Sequence, residues 1–90
     1  MQKINGVINN STGLTSHLSV DLVSEANKYN CQVTIHVLDE SADLKSIMNV
    51  MALVVPTGEH FSITFEGKGE EEAAKRFDKF LKDNNLKQYR

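Results

Sequence analysis

The 90 residues contain no tryptophan, one cysteine and one proline. A single thiol, Cys31, cannot close an internal disulfide. The fold must therefore be held by its core, and the thiol suits a reducing compartment. Cys31 has no activating neighbour in sequence, so it reads as a small structural residue rather than a reactive thiol. Long apolar runs are absent: the longest is Val50-Met51-Ala52-Leu53-Val54-Val55, far short of the roughly 18 residues that cross a bilayer. The segment Met1-Gln2-Lys3-Ile4-Asn5 holds no apolar stretch, so no secretory signal and a cytoplasmic location are expected. A basic excess is missing as well. Ten Lys+Arg against twelve Asp+Glu leave a net charge of −2, which argues against binding nucleic acid through its phosphates. His36 and His60 sit on the outward parity of their strands, and no spacing of His, Cys, Asp or Glu suggests a metal site. No cofactor is expected.

What is present reads as one small layered domain over residues 1–86, with a short tail at 87–90. A domain of this size buries roughly 60–65% of the surface of its unfolded chain, which leaves little room for an internal substrate cavity. The apolar period switches repeatedly between two and 3.6. Ile4 and Ile8 share one parity of a first strand, although Val7 breaks the alternation. A polar run, Asn9 to Gly13, follows. Leu18, Leu22, Val23 and Ala26 then fall at helical spacing, with Tyr29 extending the stripe and Thr15 or Ser16 as the cap. The expected helix covers about Ser16 to Tyr29.

Val33, Ile35 and Val37 alternate with Gln32, Thr34 and His36, the pattern of a half-buried strand. Asp39 to Asp43 reads as a turn, with a short strand ending near Leu44. Ser46 stands before a short apolar helix that holds Ile47, Met48, Val50 and Met51. Pro56-Thr57-Gly58 marks a further break. Phe61, Ile63 and Phe65 make the last strand. Glu70-Glu71-Glu72 then opens a helix, their sign suiting its N-terminus. Ala73, Phe77, Phe80 and Leu81 form its buried stripe, Lys75, Arg76, Lys79 and Lys82 its solvated side, and Asn84-Asn85 its stop. The order is β-α-β-β-α-β-α. One apolar sheet face covered by helices and one polar face in water define a two-layer α/β sandwich.

The segment Leu44-Lys45-Ser46-Ile47-Met48-Asn49-Val50-Met51-Ala52-Leu53 is more specific. It resembles the regulatory-serine segment of the HPr family, the histidine-containing phosphocarriers of the bacterial sugar phosphotransferase system, which reads L-K-S-I-M-G-V-M-S-L. Gly13-Leu14 followed by Leu22-Val23 is similar in spacing to the family's G-L-H-A-R-P-A-x-x-L-V. Glu66-Gly67-Lys68-Gly69-Glu70-Glu71-Glu72-Ala73 resembles its x-G-x-D-E-x-E-A. The likeness covers nearly the whole chain without a gap. It implies the family's open-faced sandwich, an antiparallel sheet with three helices on one face.

The departure lies at the chemistry. The alignment puts Thr15 where the family has its phosphorylated histidine, His17 where it has arginine and Leu18 where it has proline. A phosphothreonine ester is too stable to hand its phosphate on, whereas an imidazole titrates near neutrality and forms a labile N–P bond. No enzymatic activity and no phosphotransfer through Thr15 are therefore expected. The loss resembles the catabolite repression HPr subgroup, which keeps the regulatory serine but carries Gln at the histidine position and retains the following Ala-Arg-Pro. This chain lacks those too.

The resemblance implies that Ser46 is the regulatory site, phosphorylated from ATP by HPr kinase/phosphorylase. A serine before a short helix is also an ordinary N-cap. It further implies that Lys45, Ile47, Met48 and Met51 dock that kinase, the phosphotransferase enzymes or the regulator catabolite control protein A. A methionine stripe is elsewhere more often core, but this helix is apolar almost all round, and methionine suits surfaces that meet several partners. Lys45 offers a positive charge beside a phosphate at Ser46, and Asn49 replaces a family glycine at the patch. Val54 replaces another, and nothing in the sequence explains it. Two other readings remain open. His17 serves as a displaced phospho-acceptor at the start of the first helix, or the chain is a degenerate binding module phosphorylated nowhere.

Overall fold

The computed structural model describes residues 1–8, 16–53, 58–84 and 86, and for residues 16 and 17 the backbone alone. Its elements are β1 (Gln2–Val7), α1 (Ser16–Ala26), β2 (Gln32–Val37), β3 (Glu40–Asp43), α2 (Ile47–Met51), β4 (His60–Glu66) and α3 (Glu70–Asp83). The order is the one the periodicity predicts. The strands form one antiparallel sheet in the order β1-β4-β2-β3. Expectations for Asn9 to Thr15, Val54 to Thr57, Asn85 and the tail 87–90 lie outside the described residues.

Strand alternation sorts the side chains between two faces. Val33, Ile35 and Val37 of β2 and Phe61, Ile63 and Phe65 of β4 all point into the core. The register sets Ile35 opposite Ile63 and Ile4 opposite Ile63 on its other side. On the opposite face stand Gln32, Thr34, His36, Ser62 and Thr64, of which His36 Nε2 and Thr64 Oγ1 lie 3.0 Å apart. Among the described residues no helix packs on that face. Leu22 and Ala26 of α1, Val50 of α2, and Ala73, Ala74, Phe77 and Leu81 of α3 cover the apolar face. Phe77 sits at its centre, edge-on to Phe65 at 5.7 Å and to Phe80 at 5.5 Å. Each large side chain buried this fully contributes roughly 1.5–3 kcal/mol.

The structure corrects two boundaries and the burial of one side chain. The first helix ends at Ala26 rather than Tyr29. Lys28 and Tyr29 bond instead to carbonyls three residues back, Glu25 O at 3.1 Å and Ala26 O at 3.3 Å, a tightening common at helix ends. Residues 40–43 form the edge strand β3, not a turn; the turn is Leu38-Asp39 alone, between the paired residues Val37 and Glu40. With Glu40, Ser41 and Asp43 exposed, β3 shows no apolar alternation to read. Phe80 is half-buried and packs on the rim of the core rather than in it.

Both ends of β1 are tied to later parts of the chain. Leu86 is buried, and its carbonyl accepts from Val7 N at 2.8 Å. Beyond the turn Gly67-Lys68-Gly69, where Gly69 takes a left-handed φ of 79°, α3 starts without a side-chain cap. Its first residue, Glu70, accepts from Gly67 N at 3.0 Å through one carboxylate oxygen and holds the Met1 ammonium at 2.6 Å with the other.

Candidate functional site

Ser46 sits where the edge strand gives way to α2. Leu44, fully buried, is tied to the sheet through Leu44 N donating to Val33 O at 2.9 Å. The chain then turns: Lys45 N donates to Asp43 Oδ1 at 2.9 Å and Ser46 N to Asp43 O at 3.0 Å. Ser46 adopts extended dihedrals, φ −108° and ψ 110°, and its Oγ accepts from Asn49 N at 3.4 Å. Its carbonyl accepts from Val50 N at 3.0 Å. Ser46 is thus the N-cap of α2, as its position before the apolar run predicts.

The helix it heads has one inward residue, Val50, fully buried. Ile47 is half-buried. Met48 is 81% and Met51 52% exposed, so α2 shows water two flexible thioether side chains, with the exposed Asn49 beside them. α2 packs on α1, whose Val20 is a further exposed apolar residue.

The Lys45 ammonium is directed elsewhere. Nζ donates to Tyr29 O at 2.6 Å, at the C-terminal end of α1, where a cation suits the free carbonyls. Asn27 Nδ2 reaches back across the same junction to Lys45 O at 3.1 Å and also donates to Val23 O at 2.9 Å. Behind it, the Tyr29 hydroxyl donates to a Glu25 carboxylate oxygen, and the other oxygen of Glu25 pairs with Lys28 Nζ at 3.1 Å. Burial, then the hydrogen bond to Glu25, push the Tyr29 phenol well above the ordinary tyrosine range. The contacts of Asn27 and Tyr29 with Lys45 escaped the sequence reading because both residues lie far from Lys45 in the chain, and no local spacing signals a contact that only folding creates.

Of the remaining candidates, His17 lies in the first turn of α1 by its backbone, and Thr15 lies outside the described residues. Leu18 packs on the core from α1. Cys31 is buried and free. His36 is half-buried on the polar sheet face and His60 exposed at the start of β4. Among the described residues no group of three His, Cys, Asp or Glu side chains is placed to hold a metal, and no helix is long and apolar enough to cross a membrane.

The fold and the site define a small open-faced sandwich that offers one hydroxyl at the head of a short, outward-facing helix. The chain belongs to the HPr family: residues 3–83 match the PTS HPr component phosphorylation site. It is 32% identical over 86 residues to the phosphocarrier protein HPr of Mycoplasma capricolum, a match that covers 96% of this chain and 97% of that one. It is 29% identical over 72 residues to the HPr-like protein Crh of Bacillus subtilis, covering 80% and 85%. A solved histidine-containing phosphocarrier protein of Mycoplasma superposes with a TM-score of 0.88 at 31% identity, over 98% of this chain and all of that one. Proteins of this family are phosphocarriers and regulators, not catalysts.

Proposed function

We propose that this chain is a regulatory HPr-like protein of the cytoplasm, phosphorylated from ATP on Ser46 and read by partner proteins through Lys45, Ile47, Met48 and Met51. The observation that carries the reading is the placement of Ser46 Oγ at the head of a helix whose outer side is Met48 and Met51. A phosphate there adds roughly −1.5 to −2 charges beside an apolar patch. It changes what the patch attracts while leaving the buried Val50 and the sheet untouched. Its partners are then the HPr kinase/phosphorylase and either a catabolite control regulator or the phosphotransferase enzymes. It touches protein rather than nucleic acid, in keeping with the net charge of −2.

Thr15 at the family's histidine position supports the same reading, because a threonine ester does not pass phosphate onward. The rival is His17, which the start of α1 at Ser16 places in the first helical turn, where free N–H groups face outward.

One experiment separates them. The protein is incubated with phosphoenolpyruvate and the first phosphotransferase enzyme, and separately with ATP and HPr kinase. Phosphate is then located by mass spectrometry under conditions that preserve N–P bonds. Acid-stable label on Ser46 from ATP is expected, lost in Ser46→Ala and retained in Thr15→Ala. Acid-labile label on His17 from phosphoenolpyruvate would establish the carrier instead, and no label in either arm would leave a binding module.

A further inference from the structure

We infer that Asn27, on the turn that closes α1, is a positioning residue for the chemistry at Ser46. This rests on the reading of Ser46 as the phosphorylated residue. A five-residue helix does not hold itself: isolated helices below about 12–15 residues are marginal in water. The placement of Ser46 Oγ therefore depends on ties to the rest of the fold. Leu44 is anchored on one side of it and Val50 on the other, both fully buried. Between them the half-buried Lys45 and Ser46 are held within their own segment by Asp43, which accepts from Lys45 N at 2.9 Å and from Ser46 N at 3.0 Å.

The Asn27 side chain supplies a tie from this turn to a separate element, α1. An amide nitrogen carries two N–H groups. One meets Lys45 O at 3.1 Å, the carbonyl of the peptide that leads into Ser46, and the other meets Val23 O at 2.9 Å. The first joins the phosphorylatable junction to α1, and the second braces the amide against its own helix. Lys45 Nζ closes the loop in the opposite sense by donating to Tyr29 O at 2.6 Å. Lys45 is thus tied to the end of α1 by two long-range hydrogen bonds running in opposite directions, one to its carbonyl and one from its ammonium.

The chemistry at position 27 is restrictive. An ionised aspartate has the same shape but only accepts. It would aim negative charge at two carbonyl oxygens. Asn27→Asp and Asn27→Ala should therefore act alike on Ser46, although one keeps the volume and the other does not.

The test uses the full chain. Both variants are labelled with ATP and the kinase, and amide hydrogen exchange is followed residue by residue. The expected result is a roughly fivefold fall in kcat for Ser46 labelling with KM within about twofold, because the Met48 and Met51 surface is unchanged. Exchange at Asn49 N and Val50 N, the two amides that bond to Ser46, should quicken roughly five- to tenfold, the effect of one hydrogen bond. Val33 and Ile63 in the sheet should keep their protection. Unchanged labelling in both variants would overturn the inference. So would equal loss of protection across sheet and α2, since that marks a merely structural role. If the unaltered protein takes no label on Ser46, the functional reading fails, and the tie is judged on the exchange of Asn49 and Val50 alone.

Discussion

The carbonyl oxygen of Leu86 lies 2.5 Å from where a β-carbon on Gly6 would stand, and Phe61 Cζ lies equally close on another side. The glycine is required here for space. Its bare Cα lets the end of the chain come in beside β1, so that Leu86 O can accept from Val7 N. Gly6→Ala must displace a backbone carbonyl and a buried ring together. Overpacking of this kind costs about 1–3 kcal/mol, and the upper end of that range is expected. Urea unfolding should show the loss, and hydrogen exchange at Val7 should quicken more than at Ile63.

Leu38 is 75% exposed and takes a φ of 55° in the two-residue turn between β2 and β3. A branched side chain in the left-handed region costs about 1–2 kcal/mol, and exposure this high returns little through burial. Asparagine tolerates that conformation without glycine's extra freedom in the unfolded chain. Leu38→Asn should therefore stabilise the protein by about 0.5–1 kcal/mol, which raises the midpoint of thermal unfolding by ~4 °C. A lower midpoint would show that Leu38 is held by contacts its exposure does not reveal.

These two residues also mark where the sequence stopped being legible. β2, β4 and α3 announce themselves: Val33, Ile35, Val37, Phe61, Ile63 and Phe65 alternate without a break, and Ala73, Phe77 and Leu81 repeat on one helical face behind an acidic first turn. Their signal is local because each buries one face. β3 carries no such face, and its strand character comes from hydrogen bonding to β2. Gly6 looks like any glycine until Leu86, 80 positions later, is brought against it. The site divides the same way. Ser46 as a cap follows from its place before the apolar run, whereas Met48 and Met51 as an outward patch follow from the resemblance to the family. The attachment of Lys45 to Tyr29 and Asn27 follows from neither, because it depends on how α1 and α2 meet.

The Glu70 carboxylate sits between the Met1 ammonium and Gly67 N. The hydrogen bond from the ammonium and then that from Gly67 lower its pKa, while Glu70 in turn raises that of the ammonium. The signs fix a window. A lowered carboxylate contributes stability above its unfolded pKa and loses it as pH falls through the folded value. A raised ammonium contributes below its unfolded pKa and loses it as pH rises through the folded one. The pair should thus stabilise the protein between the ordinary glutamate and α-amino ranges and fade on both sides. Both groups are solvent-accessible, so the effect should shrink in high salt. In Glu70→Gln the difference in unfolding free energy from the unaltered protein should shrink steadily as pH falls below the ordinary glutamate range. A difference undiminished there would mean that Glu70 acts through packing rather than charge.

Met48 and Val50 stand two residues apart on α2 with opposite exposure, 81% and 0%, and that contrast separates docking from folding. Val50→Ala removes two buried methyl groups beneath the helix and should cost about 2 kcal/mol, with partner binding weakened only as far as α2 loosens. Met48→Ala removes side chain from water and should leave stability within about 0.5 kcal/mol. If the outer side of α2 is the docking surface, Met48→Ala should nevertheless weaken binding to the serine kinase at least tenfold, the loss of an anchor at an interface centre. Calorimetric titration of each variant with the kinase, beside its unfolding curve, gives both numbers. A Met48→Ala protein that is as stable as the parent and binds as tightly would move the docking surface off the outer side of α2.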